Sequence, residues 1–224
     1  MTTVSAAIAG RISTRAFLST PVPEADLLAI LEAAQRSPSG GNLQPWKVHL
    51  VIGAARDRLV EEVNRQIADD PFADESEFSV YPAKLWEPYR TRRYQVGEDM
   101  YALLGIPRED KMARLNHLAR NYSLFGAPAA LFFSLDRRMG PGQWAHLGMY
   151  MQTLALLFEE AGLATCMQEA WAARAKTVST FLNLSTDDQL YCGMAVGYAD
   201  KNAPVNQLRA ARAEQGEVVT VLRD

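Results

Sequence analysis

The stretch QWAHLGMYMQTLALLFEEAG, Gln143 to Gly162, constrains this chain more than any other. Its apolar residues surround the helical wheel instead of forming one stripe, and it closes on a glycine suited to the position just past a helix C-terminus. Such a helix has to be covered on all sides, which leaves two places for it: the centre of the fold or an interface between subunits. Gly148, Met149, Met151 and Ala155 permit close, adaptable packing in either setting.

The rest of the chain supplies what that helix packs against. In 224 residues, with 48% apolar and 22% charged side chains, there is room for one generous globular domain, 1–224. Leu27, Ile30, Leu31 and Ala34 recur at helical spacing after Pro23, so 24–36 reads as an amphipathic helix. In WKVHLVI, Trp46, Val48, Leu50 and Ile52 alternate with Lys47, His49 and Val51, which is strand periodicity. Further strands are expected at 129–135, at 190–197, in LATCMQ (163–168) and in EVVTVL (217–222). The segment from about 64 to 121 mixes charges, prolines and aromatics without clean periodicity. It reads as an excursion from the core, either a lid or channel wall carrying Tyr81, Trp86, Tyr89 and Tyr94, or a surface insertion anchored by those rings.

Several chemistries are excluded early. A net charge of −3 does not suit a general binder of nucleic acid or anionic membrane. Cys166 and Cys192 stand in no ligand spacing, and His49, His117 and His146 share no local pattern, so no metal site is legible. No run reaches the length of a spanning helix, and the opening MTTVSAAIAGR lacks the layout of a secretory leader, so a cytoplasmic protein is expected. There is no GxxxxGK[ST] loop, no GxGxxG after a strand and no GxSxG elbow.

What remains is a set of short polar motifs. GRISTRAF puts Arg11, Ser13 and Arg15 at alternate positions, so in an extended segment the three share one side, and two guanidinium forks beside a hydroxyl suit a phosphate as well as they suit plain solvent. NQLRAAR adds Arg209 and Arg212 near the other end. SPSGGNLQPW, 37–46, concentrates Gly40, Gly41, Pro38, Pro45 and short hydrogen-bonding side chains in one loop, which serves either as an ordinary helix-to-strand connection or as backbone that approaches a flat polar ligand. Glu169 in CMQEAW lies among apolar neighbours, as a proton-transfer group or as a loop anchor.

Taken in order, RISTRAF, AAQRSPSGGNLQPW, FGAPAALFF, GMYMQTLALLFEEAGLATCMQEAW, GYADKNAPVNQLRAAR and EVVTVL resemble the FMN-dependent nitroreductase family over almost the full length, and YPAKLWEPYRTRRY resembles its nitrobenzoate and nitrobenzene reductase branch. The resemblance implies an α+β fold, a mixed, mostly antiparallel sheet wrapped by helices, in an intertwined homodimer whose central helices meet and whose C-terminal strand joins the partner's sheet. It implies FMN as cofactor, with Arg11, Ile12 and Ser13 at the phosphate and ribityl end, Arg15 at the N1 and C2 carbonyl edge, and Arg209 and Arg212 completing the phosphate site. Pro38, Ser39, Gly40 and Asn42 would come from the partner protomer, and Met167, Gln168, Glu169 and Ala170 would lie beside the ring. No protein side chain is expected to be catalytic, since the flavin carries the chemistry: NADH or NADPH donates, and a small aromatic nitro acceptor then takes the same place, in a ping-pong scheme. Tyr81, Trp86 and Tyr89 would border the acceptor. Same-fold alternatives are a quinone or enone reductase, a dehalogenase or a flavin-consuming enzyme; a non-catalytic flavin-binding protein is the alternative of a different class.

Overall fold

In the computed structural model, which describes residues 2–72 and 74–223, four strands form one sheet: β1 (Lys47–Ile52), β2 (Ala129–Asp136), β3 (Ala164–Gln168) and β4 (Asp188–Gly197). Their order is β1-β2-β4-β3, with every neighbouring pair antiparallel. The parallel component is one isolated bridge, Ser13 to Thr165, which lays the RISTRAF segment against edge strand β3. β2 is apolar throughout because it is covered on both faces: Leu131, Phe133 and Leu135 turn to one side, Ala130 and Phe132 to the other. Along β4 the alternation breaks once. Phe133 pairs with Cys192 and Ser134 with Leu190, leaving Tyr191 as an extra residue, so Leu190 falls on the opposite face from Cys192.

The helices are α1 (Val4–Gly10), α2 (Glu24–Ala34), α3 (Gly53–Asp69), α4 (Tyr89–Leu103), α5 (Lys111–Ala119), α6 (Pro141–Glu160), α7 (Ala175–Leu182) and the single turn α8 (Gln215–Val218). α2 and α6 cover one face of the sheet through Leu27, Ala34, Leu147, Tyr150, Leu154 and Phe158, and Trp46 stacks on Tyr150 with ring centroids 4.7 Å apart. α3 and α7 cover the other through Leu59, Val63, Ala175 and Val178 around the buried Trp171. Gly193 makes room for that indole: a Cβ there would stand 2.4 Å from the Trp171 ring.

Two expectations are not met within a single chain. α6 is not covered all round within one chain. Leu147, Tyr150, Met151, Leu154, Ala155 and Phe158 recur at helical spacing and are buried, while Gly148, Met149 and Gln152 face outward. It does end as expected, with Leu163 N–H bonding Phe158 C=O and Gly162 N–H bonding Glu159 C=O, the closure that a glycine at φ +75° allows. Within this chain 217–222 forms no strand: it runs on from α8 with no ladder partner among the described residues, and Val218, Val219, Val221 and Leu222 are exposed. A strand needs a neighbour for its backbone groups, and the described residues of this chain offer none at that place. The irregular middle contains α4 and α5 as well as a long loop. α4 buries no residue, which is why no apolar period announces it.

Candidate functional site

The two ends of the chain build one cavity. Thr14 N–H bonds Thr165 C=O at 3.0 Å, Leu18 N–H bonds Tyr198 C=O at 2.9 Å and Asp200 N–H bonds Ala16 C=O at 3.0 Å, which fixes GRISTRAF between β3 and the chain leaving β4. The buried Asn206 locks that junction: its Oδ1 accepts Arg15 N–H at 2.8 Å, and its Nδ2 donates to the carbonyls of Ala16 and Asp200, each at 2.8 Å. The sequence reading missed Asn206, since one asparagine in PVNQL carries no signal until its partners 190 residues away are known. Arg11, Ile12, Ser13 and Arg15 then face Arg209 and Arg212 across a space of about 380 Å³, with Val96 of α4 closing one side. Among the described residues no carboxylate lines it. The guanidinium of Arg15 donates to Ser13 C=O, that of Arg209 to the carbonyls of Asn206 and Leu208, and that of Arg212 to those of Ala210 and Ala211. Among the described residues none of the four arginines forms an ion pair with a carboxylate. Four cations and a hydroxyl around one cavity, with charge left uncompensated, fit a phosphorylated ligand.

A second, larger space of about 820 Å³ opens over the end of β3. Met167, Gln168, Glu169 and Ala170 form its floor, and Asn121, Leu118, Arg93 and the irregular loop Ser76–Tyr81 form its walls. Gln168 is buried and fully engaged, donating to Asn121 C=O at 2.9 Å and accepting from the Trp171 indole at 3.3 Å, so it positions the floor instead of offering a free amide. Glu169 accepts from the Tyr191 hydroxyl at 3.4 Å. Burial raises the Glu169 carboxyl above its ordinary value, against the opposing effect of that hydrogen bond, and raises the Tyr191 phenol to about 12 through burial first and the neighbouring Glu169 charge second. Tyr191 reaches this place because it is the bulged residue of β4, and its ring lies within 5.7 Å of Phe78 and 5.3 Å of Trp144. Phe78 thereby carries the 76–81 wall onto the core, helped by an ion pair between Arg137 and Glu77 at 2.8 Å.

Tyr81 lines this second space under the guanidinium of Arg93, but Trp86 and Tyr89 line neither cavity. They pack edge to face on each other at 5.5 Å and are exposed, because the chain has turned away into α4 by then. The SPSGGNLQPW loop also lies apart from both spaces within one chain. It folds into a turn at Gly40–Asn42, with Gly41 at φ +58° and Asn42 at φ +55°, and Ser39 Oγ accepts Gln44 N–H at 2.9 Å. Gly40 N–H donates to His146 Nε2 at 3.2 Å, which fastens Pro38, Ser39, Gly40 and Asn42 to the first turns of α6. Among the described residues no cluster of His, Cys, Asp or Glu is arranged to hold a metal, and no helix is long and apolar enough to cross a membrane.

The sequence model of the nitroreductase family matches residues 8–198. The 4-nitrobenzoate reductase of Pseudomonas putida is 36% identical over 208 residues, covering 92% of this chain and 90% of that protein. The nitrobenzene nitroreductase of Ectopseudomonas oleovorans is 33% identical over 97% of this chain and 96% of its own length. Among solved structures, the FMN and NADPH-dependent nitroreductase NfnB from Sphigopyxis sp. strain HMH superposes with a TM-score of 0.96 at 43% identity, covering 99% of this chain and all of that one. NfnB from Mycobacterium smegmatis in complex with NADPH gives 0.92 at 32% identity, covering 98% of this chain and 97% of that one. With the fold, the order of its motifs and the family match in agreement over most of its length, the chain is a member of the nitroreductase family.

Proposed function

We propose that this chain is an FMN-dependent NAD(P)H oxidoreductase that reduces nitroaromatic compounds by a ping-pong route, working as a homodimer with shared sites. The observation that carries the reading is the arginine cavity built from both chain ends, whose uncompensated charge suits the phosphate of a mononucleotide, with no dinucleotide fingerprint anywhere in the sequence. Arg11, Ser13, Arg209 and Arg212 would hold that phosphate. Arg15, half-buried and pinned through Asn206, would place a cation toward the ring. FMN, when bound, supplies two-electron transfer between nicotinamide and nitro group. The chain's part is to orient the flat reactants over Met167–Ala170, with Tyr81 and Phe78 beside them, and to exclude competing contacts. Protons come from water, since Glu169, the acid in reach, is held by Tyr191.

A second protomer would complete the site. The Pro38–Asn42 loop reaches neither cavity of its own chain, the outward face of α6 beside it carries Gly148 and Met149, and the C-terminal segment presents four exposed apolar side chains. Two buried, unpaired thiols suit the reducing cytoplasm, where NAD(P)H is supplied. The test is direct: heat denaturation of the purified protein should release FMN and not FAD, and steady-state reduction of a nitroarene by NADPH should give parallel double-reciprocal lines at several acceptor concentrations. A protein that neither contains nor binds FMN would end the proposal, and intersecting lines would end its ping-pong part.

A further inference from the structure

Three arginines occupy the first turns of α4, and two of them are neutralised: Arg90 by Glu87 at 2.7 Å and Arg92 by Glu217 at 2.9 Å. Arg93 has no carboxylate partner among the described residues. It turns instead to the wall of the larger cavity, where its guanidinium carbon lies 4.6 Å from the centroid of the Tyr81 ring. A cation held over an aromatic face keeps its N–H edge available to a ligand. Of the two carboxylates of that cavity, Glu77 is paired with Arg137 at 2.8 Å, and Glu169, which burial shifts toward its neutral form, accepts a hydrogen bond from the Tyr191 hydroxyl at 3.4 Å. The floor suits a flat ring, and at the wall Arg93 is a cation with no carboxylate partner among the described residues.

We infer that Arg93 is a specificity-determining residue that recognises a carboxylate on the acceptor, so that the preferred substrates are aromatic nitro acids over neutral nitroarenes. The inference rests on the nitroreductase reading above and decides between two acceptor classes that reading leaves equal. The carboxylate receives the planar fork of Arg93 while the ring lies beside Tyr81, which fixes one orientation of an otherwise symmetrical flat molecule. Arg93 is exposed, so its effect is moderate and falls with salt.

The experiment compares 4-nitrobenzoate with its neutral analogue 4-nitrobenzamide in the FMN-loaded wild type, Arg93→Gln and Arg93→Lys, with NADH and with NADPH as donor. Arg93→Gln should lose about five- to tenfold in kcat/KM for the acid and less than about twofold for the amide, and Arg93→Lys should keep most of the preference. Equal losses on both acceptors would overturn the assignment. So would a loss confined to NADPH relative to NADH, which would make Arg93 a contact for the dinucleotide phosphate. Calorimetric titration of the holoprotein with benzoate, which is not reduced, separates the two levels of the argument. If neither acceptor is turned over, the nitroreductase reading fails, while weaker benzoate binding in Arg93→Gln still sustains carboxylate recognition and equal binding refutes it.

Discussion

Individual side chains carry the sharpest consequences. Arg11 contributes charge to the small cavity without any internal carboxylate to answer it, so Arg11→Ala should weaken FMN binding by roughly 1.5 to 3 kcal/mol, about ten- to a hundredfold in Kd, measured by fluorescence titration of the apoprotein. Arg15→Ala should act mainly on the midpoint potential of bound FMN and lower it, because a nearby cation favours the negative charge gained on reduction; potentiometric titration reads this directly. His117 gives a pH signature. Burial first, then the charges of Arg120 and Arg15, lower its pKa from the ordinary 6.5 to about 4, and its Nε2 has no partner among the described residues. Between those values the unfolded chain takes up a proton that the folded chain refuses, so stability present above pH 6.5 falls as the pH drops toward 4. In urea unfolding at pH 7 and pH 4.5, His117→Phe should lose about 1 to 2 kcal/mol less than wild type over the same interval. The residue types of the site were legible in GRISTRAF and NQLRAAR, since guanidinium and hydroxyl chemistry does not depend on fold. Asn206 was not, because its function lies entirely in partners brought to it by β4.

The element that decides most is α6 together with the loop clipped to it. Gly40 N–H bonds His146 Nε2, which puts the imidazole proton on Nδ1, facing Gln143 Oε1 at 3.1 Å. A Cβ on Gly40 would come within 2.9 Å of His146 Cε1. Gly40→Ala should therefore displace the loop and lower FMN occupancy, and His146→Ala should lower it by freeing the loop. Because the double variant relieves the collision, the two losses should be less than additive, with flavin-to-protein absorbance ratios as the readout. Additive losses would show that the contact does not position the loop. The helical spacing was clear in α2, the all-round apolar wheel in α6 and the strand period in β1. α4 was hidden because a helix that buries nothing has no apolar stripe, and Tyr191 was hidden because a bulge moves a residue between faces without leaving a mark in the alternation.

At the scale of the whole molecule, the proposed dimer makes a sharper claim than an oligomeric state. If Arg11 and Asn42 of different protomers serve one flavin, a heterodimer of Arg11→Ala and Asn42→Ala chains has one doubly damaged site and one intact site, and differently tagged, co-purified heterodimers should hold about half the wild-type FMN. Two equally weakened sites would place both residues on the same protomer's flavin. Removal of 215–224, which carries the exposed Val218, Val219, Val221 and Leu222, should shift the protein toward monomer in sedimentation and reduce FMN content with it.

Apolar patterning outlined the elements from the sequence alone, because burial leaves its mark on residue order wherever the element ends up: alternation in β1, apolar runs in β2 to β4, helical spacing in α2 and an apolar wheel in α6. The ordered motifs determined the family. The resemblance implied that Arg11 and Ser13 share a site with Arg209 and Arg212; the tertiary structure alone decided how these residues and Arg15 meet in one cavity, that Arg93 faces another, and that 217–222 finds no strand partner among the described residues. Each of these is a meeting of segments far apart in sequence, and no local spacing encodes which distant surfaces a chain will bring together.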